Sequence, residues 1–156
     1  MKKLFNTGYN SKGLDTILLL ARLMIAWMML VHGLPKLSML TSGVEVKFPG
    51  VLGMDPMTSL ALAAMAEVFC SILLIAGFAT RLAVIPLIIT MLVAVFGIHA
   101  GDFAKQELGL HYLLTYAVLL VAGSGRYSVD YFLGSRMEKA KVRRLEPQRV
   151  RANRGS

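Results

Sequence analysis

Charge is scarce in this chain: 17% of its 156 residues are Asp, Glu, Lys or Arg, against 56% hydrophobic residues, and the mean hydropathy is +0.61. So little polar surface cannot cover a water-soluble globule of this size, which excludes an ordinary soluble domain. Cysteine is scarcer still. Cys70 stands alone, so no intrachain disulfide can form and the redox compartment is not readable from it; inside an apolar run it reads as a small packing residue. Tight metal-ligand spacings are missing, as are flavin, nicotinamide and iron–sulfur motifs. The first apolar run has no small-residue cleavage site and ends instead in His32, Gly33, Leu34, Pro35 and Lys36, so it reads as a retained helix rather than a secretory signal.

What the chain does have is four apolar runs, at residues 16–34, 59–78, 82–99 and 108–123, the last somewhat short. A hydrocarbon core of ~30 Å is crossed by about 20 helical residues. In lipid every backbone polar group needs an internal partner, so these runs must be helices. The expected fold is therefore all-α, a transmembrane four-helix bundle forming a single membrane domain over residues 1–156. The charge-rich tail 135–156 has no apolar periodicity long enough for a core of its own. Pro86, expected near the start of the third helix, receives no functional role. Ala61, Ala63, Ala64, Ala66 and Ser71 give the second helix small residues that let its neighbours come close.

The net charge of +8 is unevenly placed. Lys2, Lys3 and Lys12 lie before the first run, Arg81 between the second and third, and nine basic residues between Arg126 and Arg154. The other two connections hold Lys36, Lys47 and Lys105. The excess of Lys and Arg on cytoplasmic segments then predicts both termini in the cytoplasm. A basic tail that follows a transmembrane helix directly is expected to bind anionic lipid, at ~1 kcal/mol per Lys or Arg, rather than nucleic acid. The long connection from Pro35 to Thr58 is apolar and turn-rich around Phe48-Pro49-Gly50-Val51-Leu52-Gly53-Met54. It is expected to fold back on the helices, where it could cap a cavity.

Ionisable residues within the apolar runs are costly and mark function or pairing. Glu67 falls about eight residues into the second helix, ~12 Å below its outer boundary. Being short and central, it must be protonated, paired or facing a wet cavity. Arg22 lies about six residues, or ~9 Å, into the first helix, where it either pairs with Glu67 or snorkels to the inner headgroups. His32, Lys36, His99, Asp102, Glu107 and His111 are all expected toward the outer side, with Glu107 and His111 sharing a helical face. For the three histidines, metal ligation and axial haem ligation are open alternatives. A flat carbonyl ligand such as a quinone demands only an amphipathic pocket, and Trp27, Phe48, Phe96, Tyr112 and Tyr116 are candidate walls. The expected site is thus His32, His99 and His111 on ligand oxygens, joined by Lys36, Arg22 and Tyr112, with Glu67 and Glu107 handling protons and no metal.

Four sequence pieces, in order, resemble the DoxX family of small four-helix membrane proteins. They are Ala21-Arg22-Leu23 leading to His32-Gly33-Leu34-Pro35-Lys36; Phe48-Pro49-Gly50-Val51-Leu52-Gly53; Ala66-Glu67 in a helix ending at Gly77-Phe78-Ala79-Thr80-Arg81-Leu82; and Gly123-Ser124-Gly125-Arg126-Tyr127-Ser128-Val129-Asp130. The resemblance spans Leu18 to Leu133 and departs at Phe69-Cys70-Ser71, where relatives often carry glycines. It implies an association with respiratory or redox chemistry, since members include a subunit of a thiosulfate to quinone oxidoreductase. The expectation it supports is a membrane subunit of a quinone-linked oxidoreductase in a bacterial inner membrane, taking electrons from a redox partner protein. A non-catalytic scaffold subunit and a small proton-coupled transporter are the alternatives.

Overall fold

The computed structural model describes residues 11–43 and 48–154, with side chains through residue 141. Lys2, Lys3, Lys47 and the side chains of the tail beyond residue 141, on which part of the charge argument rests, lie outside the described residues. The chain is all-α: α1 covers Ser11–Thr41, α2 Pro56–Ala76, α3 Thr80–Leu92, α4 Phe103–Ala122 and α5 Val129–Arg154. α3 runs on without a break into a π-helical stretch, Val93–Ile98. Among the described residues there is no strand.

Among the described residues three segments, Ser11–Thr41, Pro56–Ala76 and Thr80–Ile98, are long and apolar enough to cross a membrane. α4 has 20 residues, or ~30 Å of helix, but Lys105, Gln106, Glu107 and His111 all fall in its first half. The apolar side chains that point away from the other helices, among them Trp27, Phe69, Phe96, Leu114 and Val121, are widely exposed. An outer surface so apolar suits lipid rather than water.

Helix ends follow local chemistry more than hydropathy. α2 starts three residues before the apolar run because Asp55 caps it: the Asp55 carboxylate accepts the Thr58 amide at 3.0 Å, and Pro56, which has no N–H to leave unpaired, takes the first turn. The helix stops at Gly77, whose φ of 66° is left-handed. The Phe78 amide there reaches back to the Leu73 carbonyl at 3.0 Å, which closes a Schellman turn. α1 does not end at Leu34 as hydropathy suggests. It passes through Pro35 to Thr41, at the cost of the hydrogen bond that residue 35 would have given to Val31. Pro86 lies in the second turn of α3, not its first.

α1 to α4 pack each on the next, and α4 returns to α1. Consecutive helices are antiparallel: Gly33 abuts Glu67 while Gly77 abuts Arg22, and Val95 meets Gly109 while Arg81 bonds Val121. The shared core joins Leu18, Ile25, Ala26 and Met29 of α1 to Leu74, Val84, Leu87, Tyr116 and Leu119 of the other helices. Two glycines inside helices make contacts closer than a side chain permits. A Cβ on Gly33 would lie 2.9 Å from the Glu67 Cβ, and one on Gly109 would lie 2.3 Å from Val95 Cγ2. Glycine at those two positions sets the spacing of the two helix pairs. α5 buries none of its described side chains.

A candidate ligand cavity

Each of the four packed helices turns one stripe toward a common cavity of about 580 Å³. Met29, His32 and Lys36 come from α1; Ser59, Leu62, Ala63, Ala66 and Glu67 from α2; Pro86, Ile89, Thr90, Val93 and Ala94 from α3 and its extension; Lys105, Leu108, Gly109 and Tyr112 from α4. The spacings are those of a single helical face, three and four residues apart. Phe48, Val51, Leu52 and Met54 of the long connection line the same space. The loop is pinned there by the Val51 amide, which donates to Ser59 Oγ at 3.0 Å. The cap expected from its composition therefore exists, and its volume falls within the usual range for small-molecule sites.

Glu67 is fully buried in the wall of this cavity. Its partner is Lys36, which donates to Oε1. Helical side chains lean toward their own N-terminus, so on antiparallel α1 and α2 a lysine high on one and a glutamate midway down the other converge. Arg22, 14 residues before Lys36 or ~21 Å along the helix, leans the same way, toward the start of α1 and so away from Glu67, and makes no pair with it. Lys36 is also within cation–π range of Phe48, at 5.9 Å from the ring centroid.

The second Glu67 oxygen, Oε2, has no hydrogen-bond partner among the described residues, and neither has the Tyr112 hydroxyl. Both residues line the cavity and lie within electrostatic reach of each other. Tyr112 is held edge-on by His32, with ring centroids 6.0 Å apart, and Tyr116 lies behind it, also at 6.0 Å. Across the cavity the π-helical stretch leaves Val95 with a carbonyl that the Gln106 side-chain amide satisfies at 3.0 Å. Such irregular turns cluster at functional sites. At the rim Lys105 bonds Asp102 at 2.9 Å, and this contact, with the Lys105 amide, holds the Asp102 carboxyl below the usual range.

The expected site residues thus divide. His32, His99, Lys36, Glu67 and Tyr112 gather on the cavity. Glu107 and His111 do not line it: both are exposed, and His111 Nδ1 contacts the Glu107 carbonyl at 2.7 Å within its own helix. The i, i+4 relationship between them was legible, but it faces away from the cavity. Of the candidate walls, Phe48 and Tyr112 line the cavity, whereas Trp27 and Phe96 point outward at 68% and 64% exposure. Among the described residues no three His, Cys, Asp or Glu side chains come together as a metal site would require.

Arg22 belongs to a second polar cluster at the other end of α1. Buried to 1% exposure, it donates to the Ser124 carbonyl at 2.7 Å and the Tyr127 carbonyl at 2.8 Å. Arg81 bonds the Val121 carbonyl at 3.1 Å. Asp130 accepts the Ala79 and Thr80 amides at 2.7 and 3.0 Å, which caps α3 from a distant part of the chain. Asp15 Oδ1 takes the Arg126 amide at 3.1 Å. Sequence reasoning passed over Asp130 and Asp15 as contributors here. The only signal for the first was its place at the end of the motif Gly123 to Asp130.

The four motif pieces therefore fold into two places: the Arg22, Gly77–Leu82 and Gly123–Asp130 pieces into this cluster, and the His32–Lys36, Phe48–Gly53 and Glu67 pieces around the cavity. No curated protein and no solved structure matches the chain. The DoxX family model matches residues 17–100, which takes in α1 beyond its first turns, α2, the capping loop and α3, and hence most of the cavity wall. This membrane protein belongs to the DoxX family.

Proposed function

We propose that the chain is the membrane subunit of a quinone-linked oxidoreductase system and that the cavity beside Glu67 holds a quinone-like ring. The observation that carries this reading is the pairing of an apolar cavity with two buried, unpartnered polar atoms, Glu67 Oε2 and the Tyr112 hydroxyl. A flat ligand with oxygens at its edge meets both demands across its redox couple: burying the ring removes apolar surface from water, the Tyr112 hydroxyl can donate to a ligand oxygen, and a hydroxyl of the reduced ring can donate to Glu67 Oε2, two groups that otherwise cost ~1–3 kcal/mol each. His32 and His99 stand at the same cavity as further hydrogen-bonding groups. Lys36 fixes the orientation of the carboxylate, and the Phe48–Met54 segment shields the ring.

When bound, such a ligand supplies two-electron, two-proton redox chemistry, and a partner protein delivers the electrons. The chain sits in a bacterial inner membrane as a four-helix bundle with both termini cytoplasmic. The hydrogen bond between Asp15 and Arg126 supports that orientation, since it brings the start of α1 and the approach to α5 to one end. The basic α5 then lies on anionic lipid. In this arrangement Arg22 and Arg81 lock helix ends together, and the cavity opens at the far side.

Protein purified in detergent and extracted with solvent is expected to release a quinone in near-stoichiometric amount. A ring-free extract, together with no retention of an added benzoquinone, would remove the support for this function. Trp27 is a poor reporter for such binding because it faces outward, so retention should be read directly.

A further inference from the structure

Resting on that proposed site, we infer that the cavity recognises a ligand hydroxyl, and so prefers the reduced, dihydroxy form of a quinone couple over the oxidised form. The acceptor is the decisive group. Lys36 holds Oε1 of Glu67 as an ion pair, and an ionised carboxylate has no proton to give, so Oε2 can only accept. A hydroquinone offers it an O–H. A quinone brings a carbonyl oxygen to the same place, leaving a buried acceptor facing another acceptor.

The Tyr112 hydroxyl is indifferent by comparison. It can donate to a ligand oxygen in either oxidation state, and it lies 2% exposed beside Glu67 with no other partner among the described residues. Other polar groups nearby do not supply the missing donor. Among the described residues none donates to Oε2, and the Thr90 hydroxyl is spent on the Pro86 carbonyl at 2.9 Å. A hydrogen bond to a charged acceptor at such a site corresponds to roughly tenfold or more in affinity.

The test is equilibrium binding of a tail-less dimethoxy-methyl-benzoquinone, oxidised and separately reduced under argon, to the full chain in lipid nanodiscs, with empty nanodiscs as baseline. The reduced form is expected to bind roughly tenfold or more tightly, and Glu67→Gln, whose amide can donate as well as accept, is expected to erase that preference. Equal binding of the two forms, tighter binding of the oxidised form, or a preference that survives Glu67→Gln would overturn the inference and leave the proposed ring site standing. Binding of neither form above baseline would overturn both. Should Glu67→Gln fail to fold, Tyr112→Phe serves instead: it should weaken both forms alike and keep the preference, and loss of the preference there would overturn the assignment to Glu67.

Discussion

Lys36 reaches Glu67 across the interface between α1 and α2, and Arg22, on the same helix as the lysine, does not. Side-chain direction accounts for the choice. On antiparallel helices a side chain leans toward its own N-terminus, so Lys36 leans down the interface and Glu67 up it. Arg22 leans out of the helix pair toward Ser124 and Tyr127. Glu67 and Arg22 therefore both have partners, but in separate places, one at a cavity and one at a structural joint.

The ion pair has a direct consequence for stability. Lys36→Met strands the Glu67 carboxylate in a buried site and is expected to destabilise the protein by about 3 kcal/mol, the low end for breaking a buried pair because the lysine is only partly buried. Replacing both residues, as Lys36→Met with Glu67→Gln, should recover much of the loss. Thermal unfolding in detergent measures it. A double variant as unstable as the sum of the single ones would show that the two side chains act independently.

Helix spacing is testable at Gly109. A Cβ there would lie 2.3 Å from Val95 Cγ2, so Gly109→Ala must push α4 off the π-helical stretch, at a cost of ~1–3 kcal/mol. Val95→Ala removes the obstructing methyl. The pair of substitutions is therefore expected to cost less than the two added separately. Simple additivity would mean that this contact does not set the distance between α3 and α4.

How much of this was legible beforehand follows from which signals are local. Apolar runs located the helices, and a stripe such as Ser59, Leu62, Ala63, Ala66 and Glu67 can be read from spacing alone. The reach of Lys36 was not legible, because Pro35 marks a plausible helix end and hydropathy falls there, whereas the helix runs on to Thr41. The π-helical stretch has no pattern of its own in the sequence, and its contacts are with distant residues, the Gln106 side chain and the bare backbone at Gly109. His111 illustrates the converse. Its distance from the cavity is one of helical phase, and hydropathy does not fix the phase of a helix that is apolar on nearly every side.

Arg22 separates structure from binding. Arg22→Leu leaves the Ser124 and Tyr127 carbonyls without their donor, which should cost about 3 kcal/mol given ~1–3 kcal/mol for each unsatisfied group. Arg22→Lys cannot span both carbonyls from one ammonium and should recover only part. The cavity lies at the opposite end of α1, so ring binding per folded molecule should be unchanged. Loss of binding in a variant that remains folded would place Arg22 in the ligand's environment after all.

The orientation can be settled by tagging. Asp15 and Arg126 touch, Arg22 joins the loop before α5, and in sequence the basic residues of α5 follow directly, so the start of α1 and the approach to the basic segment share one end. Lys and Arg retained on the cytoplasmic side should hold both ends there. Reporter fusions at residues 1 and 156 are expected to be active in the cytoplasm alone. A cysteine placed at Gly53, in the loop over the cavity, should react with an impermeant thiol reagent added from outside, measured in a Cys70→Ser background. Ends on opposite faces would put the loop and the basic helix on the wrong sides of the bilayer, and the proposed lipid contact of α5 would go with them.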